Sequence, residues 1–362
     1  MAVSSKKHLN LLQNKQFALL FITTFIGQIA SAFLVLTLII SLYGKTQSGY
    51  AVSGAILSFT IPGFFLMAFA GLVADVFDRR KIIIVANTFI ALVVGAIIFL
   101  RETVIAATLL STLYFVGNTF FLPAAQAATG QIAGKKYLLT SNVTFVFTFA
   151  GGLLLGFFAA SVVHIFWGNT ASIFITFGLL LIAAVLSYFL PTLLPKKKKT
   201  FSLILTLEDV FKSFAYIFSK KEIWFYFVIF AAAQGIIAFA ATIAPGFFDK
   251  VLNLSFDRAL LFVFPMVGLG AAIGAIIVNN YKKEAYFFIS TGIFLLFAAF
   301  LVLGILLVLA VLGGLFLFFG VALFLITLGI GDVLVILGSR IALQRNIVHN
   351  YQGTVCGVNI IH

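Results

Sequence analysis

The chain has 362 residues, of which 63% are hydrophobic and only 9% charged, with a net charge of +13 and a mean hydropathy of +1.21. Ordinary soluble domains carry roughly 25% charged residues, so this composition excludes a soluble globular fold. The one cysteine, Cys356, excludes a disulfide framework within the chain and a multi-cysteine metal site.

The first 16 residues are polar, and the apolar run after them is too long for the core of a signal peptide, so it reads as an uncleaved first span. A hydrocarbon core needs on the order of 20 apolar residues per helix. A window of about 19 residues predicts spans at 17–43, 50–74, 82–100, 104–128, 140–166, 170–190, 223–248, 257–279, 286–311 and 313–338. The last two come from one apolar run, divided at Gly313–Gly314 because the run is about twice one span. The fold class expected is all-α: a polytopic membrane bundle of about ten transmembrane helices.

Threading these helices back and forth puts 19 of the 23 basic residues on one side, leaving Lys45, Arg101, Lys250 and Arg258 on the other. By the positive-inside rule the N-terminus is cytoplasmic in a multi-pass protein of the cell membrane. The positive charge is therefore topological, and no nucleic-acid partner is expected. The longest polar break, with Pro191, Pro195 and Lys196–Lys199, divides the chain into a six-helix half (1–190), a cytoplasmic linker (191–222) and a second half (223–362). Within the linker Leu203, Leu207, Val210, Phe211, Phe214, Ile217 and Phe218 recur at helical spacing opposite Glu208, Asp209 and Lys212, the pattern of an amphipathic helix lying in the membrane interface.

Between spans 2 and 3 the sequence packs Gly71, Asp75, Asp78, Arg79, Arg80 and Lys81 into one short turn. Charges this close to hydrocarbon must be paired or reach water. Basic residues alone would be a topological stop signal, but that does not account for Asp75 one turn after Gly71. A small residue followed by an acid at a helix end lets a neighbour approach and offers a carboxylate to its N-terminal dipole. The loop resembles the Gly-x-Leu-Ala-Asp-Arg-x-Gly-Arg-Arg signature of the major facilitator superfamily, with Gly71, Ala74, Asp75, Arg79 and Arg80 matching, Val76 replacing Arg and Asp78 replacing Gly. The segments around Pro123–Ala125, Gly134–Asn142, Pro245 and Gly268–Gly274 resemble its drug- and siderophore-exporting branch. The resemblance implies a twelve-helix fold in two halves and makes Gly71, Asp75, Arg79 and Arg80 a conformational latch. It also implies that the second half is incomplete: Gln344 to Val358 resembles the approach to helix 11, so helices 11 and 12 are expected to be missing. Phe157 stands where the antiporter pattern of helix 5 has Pro, after Gly151–Gly152 and Gly156, which weakens export polarity.

In such transporters helices 1, 4, 7 and 10 line the cavity, and intramembrane polar groups are functional candidates. Each offers at least one: Thr24, Gln28 and Ser31 on helix 1, Asn118 on helix 4, Gln234 on helix 7 and Asp332 on helix 10. Asp332 is the one carboxylate well inside a span, a candidate for proton coupling or for a cationic substrate group, since loss of water disfavours its charged form. The bland alternatives are snorkelling for the acid and helix-to-helix hydrogen bonds for the amides. Pro62 and Pro123 read as packing features, His164 and Trp167 as an interfacial belt, and the 45 phenylalanines mark no cofactor box. No metal spacing, nucleophile motif or phosphate loop is present. The reading is a secondary transporter, not an enzyme: an efflux antiporter without cofactor or metal, moving a small amphipathic or cationic molecule against a coupling ion, which the resemblance implies is a proton. A lysophospholipid flippase of the same superfamily and a truncated, non-transporting product are the alternatives.

Overall fold

The computed structural model describes residues 11, 13–100, 103–194, 218–250, 254, 256–281, 284–309 and 315–346. Helix α1 is Lys15–Thr46, α2 Gly49–Val76 and α3 Arg79–Leu100. The helical stretch Val104–Ser187 is broken twice, at Gly134 (φ 71°, ψ 172°) and Gly168 (φ 75°, ψ −175°). These angles lie where only glycine, lacking Cβ, sits without a clash. The breaks divide the stretch into α4 (104–133), α5 (135–167) and α6 (169–187). After the linker come α7 Lys221–Lys250, α8 Phe256–Asn280, α9 Ala285–Leu309 and α10 Leu315–Asn346. Among the described residues seven helices are long and apolar enough to cross a membrane.

Several helices outrun the apolar windows that predicted them. The apolar window reports membrane depth, whereas a helix continues until its backbone is capped. At the start of α1 the Asn14 side chain accepts from the N–H groups of Gln16 (3.0 Å) and Phe17 (3.5 Å), satisfying two orphan donors. At its end the Gln47 N–H returns to the Tyr43 carbonyl, with φ 49° at Gln47. The fifth predicted span began at 140, but helix resumes directly after Gly134. Pro62 and Pro123 sit inside α2 and α4 without ending them. The turn expected at Gly313–Gly314 lies outside the described residues, as do the interfacial helix of the linker apart from Phe218 and, beyond residue 346, the Gln344–Val358 stretch likened to the approach to helix 11.

The described residues divide into two compact units, one built on α1 to α6 apart from residues 48–50 and the other on α7 to α10. In lipid, helices gain little from the hydrophobic effect and associate through close packing and small residues. In the first unit Ala74, Ala124, Ala125 and Ala128 let Leu20, Ile83, Phe121 and Leu193 pack together, while Leu34, Ile90, Val94, Ile97, Tyr114 and Leu180 form a second cluster. Gly152 and Gly156 bring α5 onto α1: a methyl on Gly156 would lie 2.7 Å from the Ala32 Cβ and 2.8 Å from the Ile29 Cα. In the second unit α10 packs on α7, α8 and α9. Gly270 and Gly274 on α8 and Gly292 on α9 meet the α10 backbone or its Val333 and Val335 side chains, and Ala233, Leu296, Ala299, Leu328 and Val335 close its core.

Candidate functional site

The charged loop between α2 and α3 is built by helix capping. Asp78 precedes the first residue of α3, and one of its oxygens, Oδ1, accepts from the Arg80 N–H at 3.0 Å, the N-cap bond. The same oxygen accepts from the Leu193 N–H at 3.0 Å, 115 residues away. The Arg79 N–H donates to the Leu193 carbonyl at 3.3 Å. Arg79 is only 6% exposed. Its Nε donates to the Ala74 carbonyl (3.3 Å) and its Nη1 to Gln131 Oε1 (2.5 Å), and the Asp75 carboxylate acts on it electrostatically. Gln131 passes the tie on through Nε2 to the Leu194 carbonyl (3.0 Å), and Arg80 Nη2 donates to the Tyr188 carbonyl (2.6 Å). These bonds knit the loop to the end of α4 and to the chain leaving α6, all within the first unit. Asp75 sits half-buried in the last turn of α2, and a methyl on Gly71 would meet no heavy atom within 4 Å.

On α1 the residues 24, 28 and 31 share a face that turns toward α4 and α5. Ser31 donates to the Gly27 carbonyl at 3.0 Å, which leaves its lone pair to accept the Tyr114 hydroxyl at 2.5 Å. Gln28 is 2% exposed with its Cβ against Gly152, and its Nε2 has no partner among the described residues. Thr24 is 1% exposed with its hydroxyl likewise unpartnered. Asn118, one turn beyond Tyr114 on α4, is half-buried. In the second unit Asp332 is 8% exposed, and its Oδ1 has no partner among the described residues. It lies on the α10 stripe of Leu328 and Val335, the side chains that pack with Ala233 of α7. Gln234 lies in α7, and its side chain is outside the described residues. The structure thus brings Thr24 and Gln28 to one seam of the first unit and buries Asp332 in the second.

Sequence reasoning missed Tyr114, Gln131 and the Leu193 backbone. Tyr114 was legible, since it stands four residues before Asn118 and so on the same face. Gln131 and Leu193 carry no local signal, because their partners lie 52 and 115 residues away. Nor did the sequence show that Asn87 of α3 donates to Ser187 of α6 at 2.7 Å.

A family model described as Major Facilitator Superfamily matches residues 17–361. The chain belongs to the major facilitator superfamily. A search of curated proteins finds no match. Among solved structures this superfamily member is similar to the nucleoside transporter NupG, with a TM-score of 0.72 and 15% identity over 95% of this chain and 85% of that one. It is similar to the POT family transporter PepTSo (TM-score 0.71, 14% identity, 95% of this chain and 86% of that one). It is also similar to a D-xylose–proton symporter (TM-score 0.62, 13% identity, 94% and 89%). At these identities the likeness carries the fold. Family and fold together point to a multi-pass membrane transporter that binds a small molecule, and away from an enzyme.

Proposed function

We propose that this chain is a secondary transporter of the exporter branch, crossing the cell membrane about ten times with its N-terminus in the cytoplasm, and that it expels a small amphipathic or cationic compound in exchange for protons. The observation that carries the reading is Asp332: a carboxylate, 8% exposed, held mid-bundle with an oxygen that no described group bonds. A buried acid without a fixed counter-charge is stable when protonated and costly when ionised, so it can trade a proton for a cationic group. Gln28, Asn118 and Gln234 supply neutral hydrogen-bonding contacts to the substrate, and Gly71, Asp75, Arg79 and Arg80 form the latch that the two halves work against during alternating access. The placement of 19 of 23 basic residues on one face supports the orientation.

The test uses inverted membrane vesicles energised to an acid interior, with ethidium as the amphipathic cation and a fluorescent lysophospholipid as the competing cargo. Ethidium uptake that needs the proton gradient and is lost in Asp332→Asn supports the reading. Ethidium uptake undiminished in Asp332→Asn overturns the role of the acid, and movement of the lysophospholipid alone overturns the cargo class.

A further inference from the structure

Where α1, α4 and α5 meet, Phe17, Leu20, Phe21, Thr24, Thr129, Phe145 and Thr148 line a partly open cavity with about 10 Å³ of room for a water centre. The three hydroxyls in it are in different hydrogen-bonding states. Thr129 spends its proton on the Ala125 carbonyl (2.8 Å), and Thr148 spends its proton on the Thr144 carbonyl (2.7 Å). Each keeps a lone pair free to accept. Thr23, the neighbour of Thr24, is also back-bonded, to the Leu19 carbonyl at 2.8 Å. Thr24 is not: 1% exposed, its hydroxyl has no partner among the described residues. The residues lining the cavity therefore carry one unspent donor, on Thr24, and two hydroxyl oxygens with a lone pair to spare, on Thr129 and Thr148.

We infer that this seam binds one ordered water molecule, which accepts from the Thr24 hydroxyl and donates to the oxygens of Thr129 and Thr148. The valences match: a buried water typically makes about three hydrogen bonds, and a space on the order of 10–15 Å³ admits one water centre. The bond left unmade at Thr24 is the reason for occupancy, since a buried hydroxyl without a partner costs free energy that a bridging water recovers. The lining favours water over an ion. Three neutral hydroxyls among aromatic rings bring neither a carboxylate nor an unwound-backbone carbonyl to a cation. Thr24 then belongs to the seam of α1 on α4 and α5, its hydroxyl satisfied by the water.

Radiolytic hydroxyl labelling of the full chain in detergent tests this, because radicals made from an ordered water label the buried side chains beside it. Phe17 and Phe288 are each 2% exposed, and Phe288 does not line this cavity. Labelling is expected on Phe17 but not on Phe288 in the wild type. It is expected to disappear from Phe17 in Thr24→Val, which keeps the shape and removes the donor, and to survive in Thr24→Ser. If Thr24→Val does not fold, Thr148→Val, which removes an acceptor, gives the same comparison. Phe17 as silent as Phe288 in the wild type, or labelled unchanged after either valine substitution, overturns the site.

Discussion

Replacing Asp78 tests the capping argument at one atom. Its Oδ1 holds two backbone donors, the Arg80 and Leu193 N–H groups, each at 3.0 Å, in a side chain 8% exposed. Hydrogen bonds to a charged acceptor are worth about 1.5–3 kcal/mol each, and a buried donor left bare adds its own desolvation cost. Asp78→Ala loses both bonds and strands the Leu193 N–H, so the chain leaving α6 should come loose by about 3 kcal/mol. Asp78→Asn keeps an acceptor oxygen in place and loses only the charge, a cost of about 1 kcal/mol. Hydrogen exchange of a peptide covering 188–194 reads local opening directly. The alanine variant should speed exchange there roughly a hundredfold and the asparagine variant several-fold, with α9 peptides unchanged. An alanine variant that exchanges like the wild type, or an asparagine variant as loose as alanine, would refute the reasoning.

Three further outcomes follow from contacts described above. Gly156→Leu should lower the melting temperature in detergent sharply, because the added carbons meet the Ile29 backbone rather than a movable side chain and overpacking costs about 1–3 kcal/mol or more. Gly178→Ala, where nothing lies within 4 Å, should melt like the wild type, and similar melts for the two variants would contradict the seam. Tyr114→Phe should cost about 0.6 kcal/mol, the average for bonds between membrane helices, and no more than about 1.7, since it removes the donor to Ser31. A melt identical to wild type would mean that bond contributes nothing. Asp75→Asn should insert and melt normally yet lose ethidium transport, and normal flux would remove Asp75 from the latch.

Much of the fold is written in local pattern. The apolar runs mark where helices lie and where they part, and the Gly71–Lys81 cluster marks the loop that joins α2 to α3. The structure adds what local pattern cannot hold. Asp78 looked like a departure from a signature, yet it caps α3 and fastens a segment 115 residues away. Gly152 and Gly156 looked like remnants of an antiporter motif, and their use is the close approach of α1. Gly168 falls in the gap between the predicted spans 140–166 and 170–190, and its positive φ makes that gap a sharp break between α5 and α6. Polarity and depth mark Thr24 and Gln28 as cavity candidates, whereas the neighbours they meet depend on the packing of three helices: both lie on the α1 face toward α4 and α5.

The central claim is transport, and the most direct measurement is ethidium accumulation in inverted vesicles carrying the chain, beside vesicles lacking it, across an imposed proton gradient. Accumulation should be faster in the vesicles with the chain and collapse to the empty-vesicle rate when a protonophore dissipates the gradient. Equal rates with and without the chain, or a difference indifferent to the protonophore, would contradict it.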